Sequence, residues 1–225
     1  MEVLNSSATR FRRALACLCA AGAALGAIPH GARAGVDPKG PPAGLLRRAL
    51  AAYRALDERG VVHNRLLTVV DYGLPSSRRR LWVLEPDTGR IRFHEFVAHG
   101  RGSADERDPD RAVRFGNELA SRRSSLGAFL TGPAYVGQHG YSLELLGLEP
   151  GVNDHAFERR IVMHPADYVS AAFRKASGGR VGRSFGCPAL DPEVSRALID
   201  AIRDGSVLYA EGAPRPLGPA TVAER

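Results

Sequence analysis

The chain has 225 residues, 44% of them hydrophobic, which supplies apolar material for one ordinary domain and excludes a disordered polyelectrolyte. Its formal charge is +7, but Arg10, Arg12, Arg13 and Arg33 stand against only Glu2 in the first 34 residues, so the rest is mildly basic. No Lys/Arg stripe with interleaved aromatics occurs, which argues against a nucleic-acid partner.

Residues 1–34 read as an export signal. Arg10, Arg12 and Arg13 make a positive n-region, 14–28 is an apolar stretch rich in small residues, and Ala32-Arg33-Ala34 offers an A-x-A cleavage site. The alternative is a retained anchor, but the stretch falls short of the ~20 strongly apolar residues a spanning helix needs. The expectation is a periplasmic or otherwise extracytoplasmic protein with no obligatory membrane contact after signal removal. Of three cysteines, Cys17 and Cys19 leave with the signal, so Cys187 stands alone. An unpaired cysteine in an exported chain flags a reactive thiol, against the alternative of an inert buried one.

Residues 35–44 form a Pro/Gly-rich linker, followed by one domain over 45–212 and a loose tail over 213–225. A helix is expected over 45–59, because Leu45, Leu46, Ala49, Leu50, Tyr53 and Leu56 recur on one face. Strand character follows in 66–72. The alternating 80–85, the turn Pro86-Asp87-Thr88-Gly89 and Ile91, Phe93 and Val97 predict a hairpin. Further strands are expected at 126–130, 142–148 and 160–164. Asp191 is a natural N-cap and Pro192 suits the first helical position, with Val194, Ala197, Leu198, Ala201 and Ile202 as the apolar stripe and Gly205 as the stop. A closing strand spans 206–210. The fold class is mainly β (α+β), with helices flanking the sheet.

The chemistry concentrates in Gly182-Arg183-Ser184-Phe185-Gly186-Cys187-Pro188. Glycines permit tight turns that present the thiol on an irregular segment, where its N–H and those just before it could face a peptide carbonyl as an oxyanion hole. Arg183 is a candidate to hold a carboxylate or favour the thiolate, or equally an ordinary surface cation. His164, ending the apolar run Ile161-Val162-Met163, is the best-placed base; His139 and His155 compete less well, and His63, His94 and His99 lie on earlier elements. Ser124-Ser125 read as turn and strand-entry hydroxyls. No HExxH, HxxxH or CxxC pair supports a metal site, and no P-loop or GxGxxG is present. No cofactor is expected.

Several segments together resemble the murein L,D-transpeptidase catalytic-domain family, relatives of the YkuD-type enzymes. They are Arg183 to Pro188, Ile161-Val162-Met163-His164, Phe115-Gly116-Asn117 with Ser124-Ser125-Leu126-Gly127, Gly137-Gln138-His139-Gly140-Tyr141-Ser142-Leu143, and Gly147 to Asp154. Val69-Val70-Asp71-Tyr72 and Arg80-Leu81-Trp82-Val83 extend the likeness. The resemblance implies a β-sandwich-like catalytic domain that acts on peptidoglycan stem peptides through a Cys187 thioester, forming 3–3 cross-links. It implies His164 as base, with the Pro165 carbonyl orienting its ring, and Ser184 and Gly186 completing the catalytic loop. Arg183, His139, Tyr141 and Asn117 become the expected substrate-binding residues. Phe185 stands where the family pattern has a histidine, and Pro165 where it has a glycine; the ring at 165 is expected to narrow the substrate slot. The readings kept beside this one are a carboxypeptidase or endopeptidase on the same stems, a non-catalytic wall-binding scaffold and a zinc amidase.

Overall fold

The computed structural model describes residues 40–212; the expected signal, most of the linker and the tail lie outside the described residues. Helix α1 (Ala43–Glu58) buries Leu45, Ala49, Tyr53 and Leu56 on the expected face. Eight strands follow: β1 (Leu67–Asp71), β2 (Leu81–Leu84), β3 (Ile91–Glu95), β4 (Gly127–Gly137), β5 (Gly140–Gly147), β6 (Val162–Pro165), β7 (Ala189–Leu190) and β8 (Val207–Glu211). Helices α2 (Ala171–Ala176) and α3 (Pro192–Ile202) lie between β6 and β8. The strands form one ladder in the order β3-β2-β1-β8-β4-β5-β6-β7, with β8 parallel to β1 and antiparallel to β4. The mainly-β domain with flanking helices expected from the sequence is what forms.

The central strands are apolar on both sides because both faces are covered. Leu67 and Val69 of β1, Leu84 of β2, Ala128 of β4 and Val207 of β8 join the α1 stripe in one core. The residues of opposite phase, Val70, Val83, Phe129 and Leu208, join Leu143, Leu145, Met163 and the α3 residues Leu198, Ile199 and Ile202 in a larger one. The α3 start is as its sequence signals: the Asp191 side chain accepts from Glu193 N at 3.1 Å, and Pro192 opens the helix.

The hairpin β2–β3 also forms where expected. Strand β4 runs to Gly137, past the expected end at 130. Its register shifts between Thr131 and Ala134, so Gly132-Pro133 sits in a bulge rather than ending the strand. Helix α2 was not expected; it is short, and Ser170 caps it by accepting from Phe173 N. The two-residue strand β7 matters most for function. It pairs in parallel with β6, His164 opposite Ala189 and Pro165 opposite Leu190, which ties the strand that carries His164 to the segment just past Cys187.

Candidate active site

The loop carrying Cys187 is held by hydroxyls and backbone amides. Ser184 N donates to His99 O at 3.0 Å and Arg101 N donates to Ser184 O at 2.8 Å, fastening the loop to residues 99–101. The Ser184 hydroxyl then closes the turn, donating to Cys187 O at 2.6 Å and accepting from Gly186 N at 3.0 Å. From the other side Ser124 Oγ donates to Gly186 O at 3.2 Å and accepts from Gly100 N at 3.0 Å. Gly186 has φ +127°, and a Cβ there would lie 2.8 Å from Arg123 O and 2.9 Å from Ile161 Cδ1. Only glycine fits both the backbone and the space. Phe185 turns outward, 63% exposed, between the guanidinium groups of Arg101 and Arg122.

Cys187 itself is buried, and its thiol donates to Arg160 O at 3.7 Å. Burial pushes the thiol up from its ordinary value, while the Val162 N–H and the Arg159 guanidinium pull it back. His164 is the penultimate residue of β6 and is buried. Its Nδ1 lies 2.8 Å from Pro165 O. A carbonyl can only accept, so Nδ1 carries the proton and Nε2 keeps its lone pair. Burial lowers the His164 pKa; the Pro165 bond opposes this, and the neighbouring His139, stacked at 4.5 Å, adds to the lowering. The resting pair is therefore a neutral thiol and a neutral imidazole with its basic nitrogen available. Both line one cleft of about 410 Å³, together with His139, Pro165, Tyr168 and Arg183. The sulfur rests against Arg160 rather than the imidazole, so proton transfer requires it to turn toward His164.

The sequence profile of the L,D-transpeptidase catalytic domain matches residues 41–210. The chain belongs to this family. No curated protein matches it. Among solved structures it is similar to an L,D-transpeptidase from Mycobacterium smegmatis at 13% identity, covering 66% of this chain and 59% of that one, with a TM-score of 0.39. It is similar to the helical cell shape determining protein Pgp2 from Campylobacter jejuni at 10% identity, covering 76% and 56%, with a TM-score of 0.43. An L,D-transpeptidase (Yku) from Stackebrandtia nassauensis matches at 16% identity over 82% of this chain and 75% of that one, TM-score 0.38. The chain thus spans less than two thirds of the length of the first two.

Within the L,D-transpeptidase domain the expected substrate residues divide. Arg183 and His139 line the Cys187 cleft, whereas Tyr141 and Asn117 do not. The Tyr141 hydroxyl donates to Asp200 at 2.5 Å and its ring lies under Arg196, both on α3, with the ring packed against the larger core. Asn117 donates to Asp154 at 2.6 Å and accepts from His155 N at 3.1 Å, lining a separate groove of about 650 Å³ beside Phe115, Leu119 and Val152. Its amide is spent bracing the 151–155 turn. The expected oxyanion donors are also corrected in part, since the Gly186 N–H is committed to Ser184. Among the described residues no group of three or more His, Cys, Asp or Glu is arranged to hold a metal.

Sequence reasoning missed four supports of the L,D-transpeptidase loop. Ser124 is a clamp rather than a turn hydroxyl. Arg80 is fully buried, donating to Val97 O at 3.2 and 2.9 Å, to Leu74 O at 2.7 Å and to His99 Nδ1 at 2.8 Å. Burial and the adjacent Arg80 charge push His99 down to about 3, so it stays neutral and braces the strand segment that carries Ser184. Arg159 is the fourth. Its guanidinium reaches Gly116 O, Ser125 Oγ, Ser121 Oγ and Arg123 O. The one available signal was an Arg on a segment adjoining the expected base strand, which is too common to single out.

Proposed function

We propose that this protein is an exported L,D-transpeptidase that cross-links peptidoglycan through a Cys187 thioester. The observation that carries the reading is the placement of Cys187 and His164 in one cleft, with Nδ1 bound to the Pro165 carbonyl and Nε2 left basic, in a chain of this family. The Sγ proton passes to His164 Nε2 as the thiolate attacks the carbonyl carbon of stem residue three. The tetrahedral oxyanion collapses, the bond to the terminal D-alanine breaks, and the imidazolium returns the proton to the departing amine. The acceptor amine of a second stem then attacks the thioester, giving its proton to Nε2. The thiolate leaves and is reprotonated, and the product is a 3–3 cross-link. Arg183, on the cleft wall and directly before the Ser184 turn, is the cation available to a stem carboxylate. The signal-like residues 1–34 support a place of work outside the cytoplasm.

The test incubates the protein with disaccharide-tetrapeptide and reads the products by mass spectrometry beside Cys187→Ala. A Cys187-dependent dimer lacking one D-alanine is expected. A Cys187-dependent tripeptide without dimer would replace transpeptidation by hydrolysis. No turnover, with both proteins still binding intact sacculi, would replace it by a wall-binding scaffold.

A further inference from the structure

The Arg159 guanidinium is half-buried and fixed from every side, yet each of its acceptors is neutral: two carbonyls and two hydroxyls, at 2.5 to 3.3 Å. No carboxylate lies within ion-pair distance of it among the described residues. A charge taken from water without a counter-charge is costly, and four neutral hydrogen bonds offset that only partly. Burial accordingly lowers the Arg159 pKa, with Glu118 and Cys187 as the groups that favour its charge. Its Nη2 donates to Arg123 O, the same carbonyl that crowds Gly186, and lies 3.3 Å from where a Gly186 Cβ would be. The unpaired cation therefore abuts the backbone immediately before the nucleophile.

We infer that Arg159 is a positioning residue that holds a fixed positive charge beside the nucleophile loop, for which the Cys187 thiolate becomes the counter-ion. This rests on the reading of Cys187 as nucleophile. Resting, Arg159 has no carboxylate within ion-pair distance among the described residues; when the thiol proton moves to His164, the sulfur gains a negative charge near the guanidinium. The burial that disfavours the thiolate is thus opposed by a charge that needs no reorganisation. The other titratable groups around the sulfur do not take this part. Tyr72 and Tyr168 are phenols pushed up by burial, His164 is lowered by burial and stacks on His139, Glu118 is an exposed carboxylate 3.9 Å from Arg123, and Arg183 is exposed on the cleft wall.

The pH dependence of Cys187 alkylation, quantified on the Cys187 peptide by mass spectrometry in the full chain, reads thiol ionisation without needing turnover. Arg159→Gln is expected to move the midpoint up by about one unit or more, a thiolate population at pH 7 lower by about tenfold, and Arg159→Lys to restore part of the shift. A folded Arg159→Gln protein with an unmoved midpoint overturns the inference, whatever happens to its activity. A midpoint moved by Arg159→Gln, together with a wild-type protein that never turns over stem peptides, would instead retain the inference and remove the functional reading. If Arg159→Gln does not fold, Cys187→Asp and Cys187→Asn are compared with Arg159 intact. The aspartate variant should gain melting temperature relative to the asparagine variant as pH rises through about 4, where the carboxylate ionises. A relative loss over the same range overturns the inference.

Discussion

Around α1, Leu45, Ala49, Tyr53 and Leu56 are buried among Leu67, Val69 and Val207, and the helix begins at Pro42 without a side-chain cap bond. Around Cys187, by contrast, Ser184, Ser124 and the amides of Gly186, Gly100 and Arg101 make short directional bonds, and Gly186 occupies a backbone conformation that has no spare room. Apolar contact is strong in sum but tolerant of small shifts, whereas a hydrogen-bonded turn fixes an atom's place at modest net stability. The α1 face is built to hold the sheet together and the loop to hold one sulfur still.

That division can be broken by experiment. The largest effect is expected from His164→Ala, which removes the base: turnover should fall about 10²- to 10⁴-fold with little change in melting temperature. Near-normal turnover would remove His164 from the chemistry. Leu45→Ala should cost about 2–5 kcal/mol in urea unfolding while leaving turnover per folded molecule unchanged. A parallel loss of turnover would show that the α1 core and the loop are coupled. Ser184→Ala leaves the buried Gly186 N–H without its acceptor, at about 1–3 kcal/mol, and should lower turnover more than that loss of folded protein accounts for. Equal losses would make Ser184 a stability residue only.

The smallest effect is a shift in pH. Burial holds the His164 pKa below the ordinary histidine value, so the acid limb of kcat/KM should lie below about pH 6.5. Activity is present above that limb and lost as pH falls and Nε2 takes a proton. His139→Ala removes a stacked ring and a neighbouring repulsive charge, so the limb should move to higher pH by less than about one unit. A move to lower pH would mean that His139 supports the charged form instead.

What could be read from the sequence follows the range of the interactions. Helix α3 was legible because Asp191, Pro192 and Gly205 act within a few residues of one another, and the β2–β3 hairpin because its turn is local. The inner part of the Cys187 loop was legible for the same reason, since Ser184 bonds residues two and three positions away. Strand β4 outruns its expected end at 130, because pairing with β5 carries it through the bulge at Gly132-Pro133, where local breakers would end it. Arg159 reaches Arg123 across 36 positions, and Ser124 reaches Gly186 across 62. No spacing rule marks such pairs. Asn117 and Tyr141 show the converse: they lie in familiar stretches, but their side chains are occupied with Asp154 and Asp200.

Strand β8 is the last of the eight to be synthesised, yet it lies between β1 and β4, and the groups β3-β2-β1 and β4-β5-β6-β7 are joined in the ladder only through it. Val207 enters one core and Leu208 the other, so a single short segment closes both. A nascent chain that has already emitted Cys187 and His164 holds two unjoined half-sheets. The Cys187 cleft is consequently timed as well as placed: its two sides are tied into one sheet only when the final strand enters the gap. A chain truncated before residue 207 should carry every residue of the cleft and none of its order.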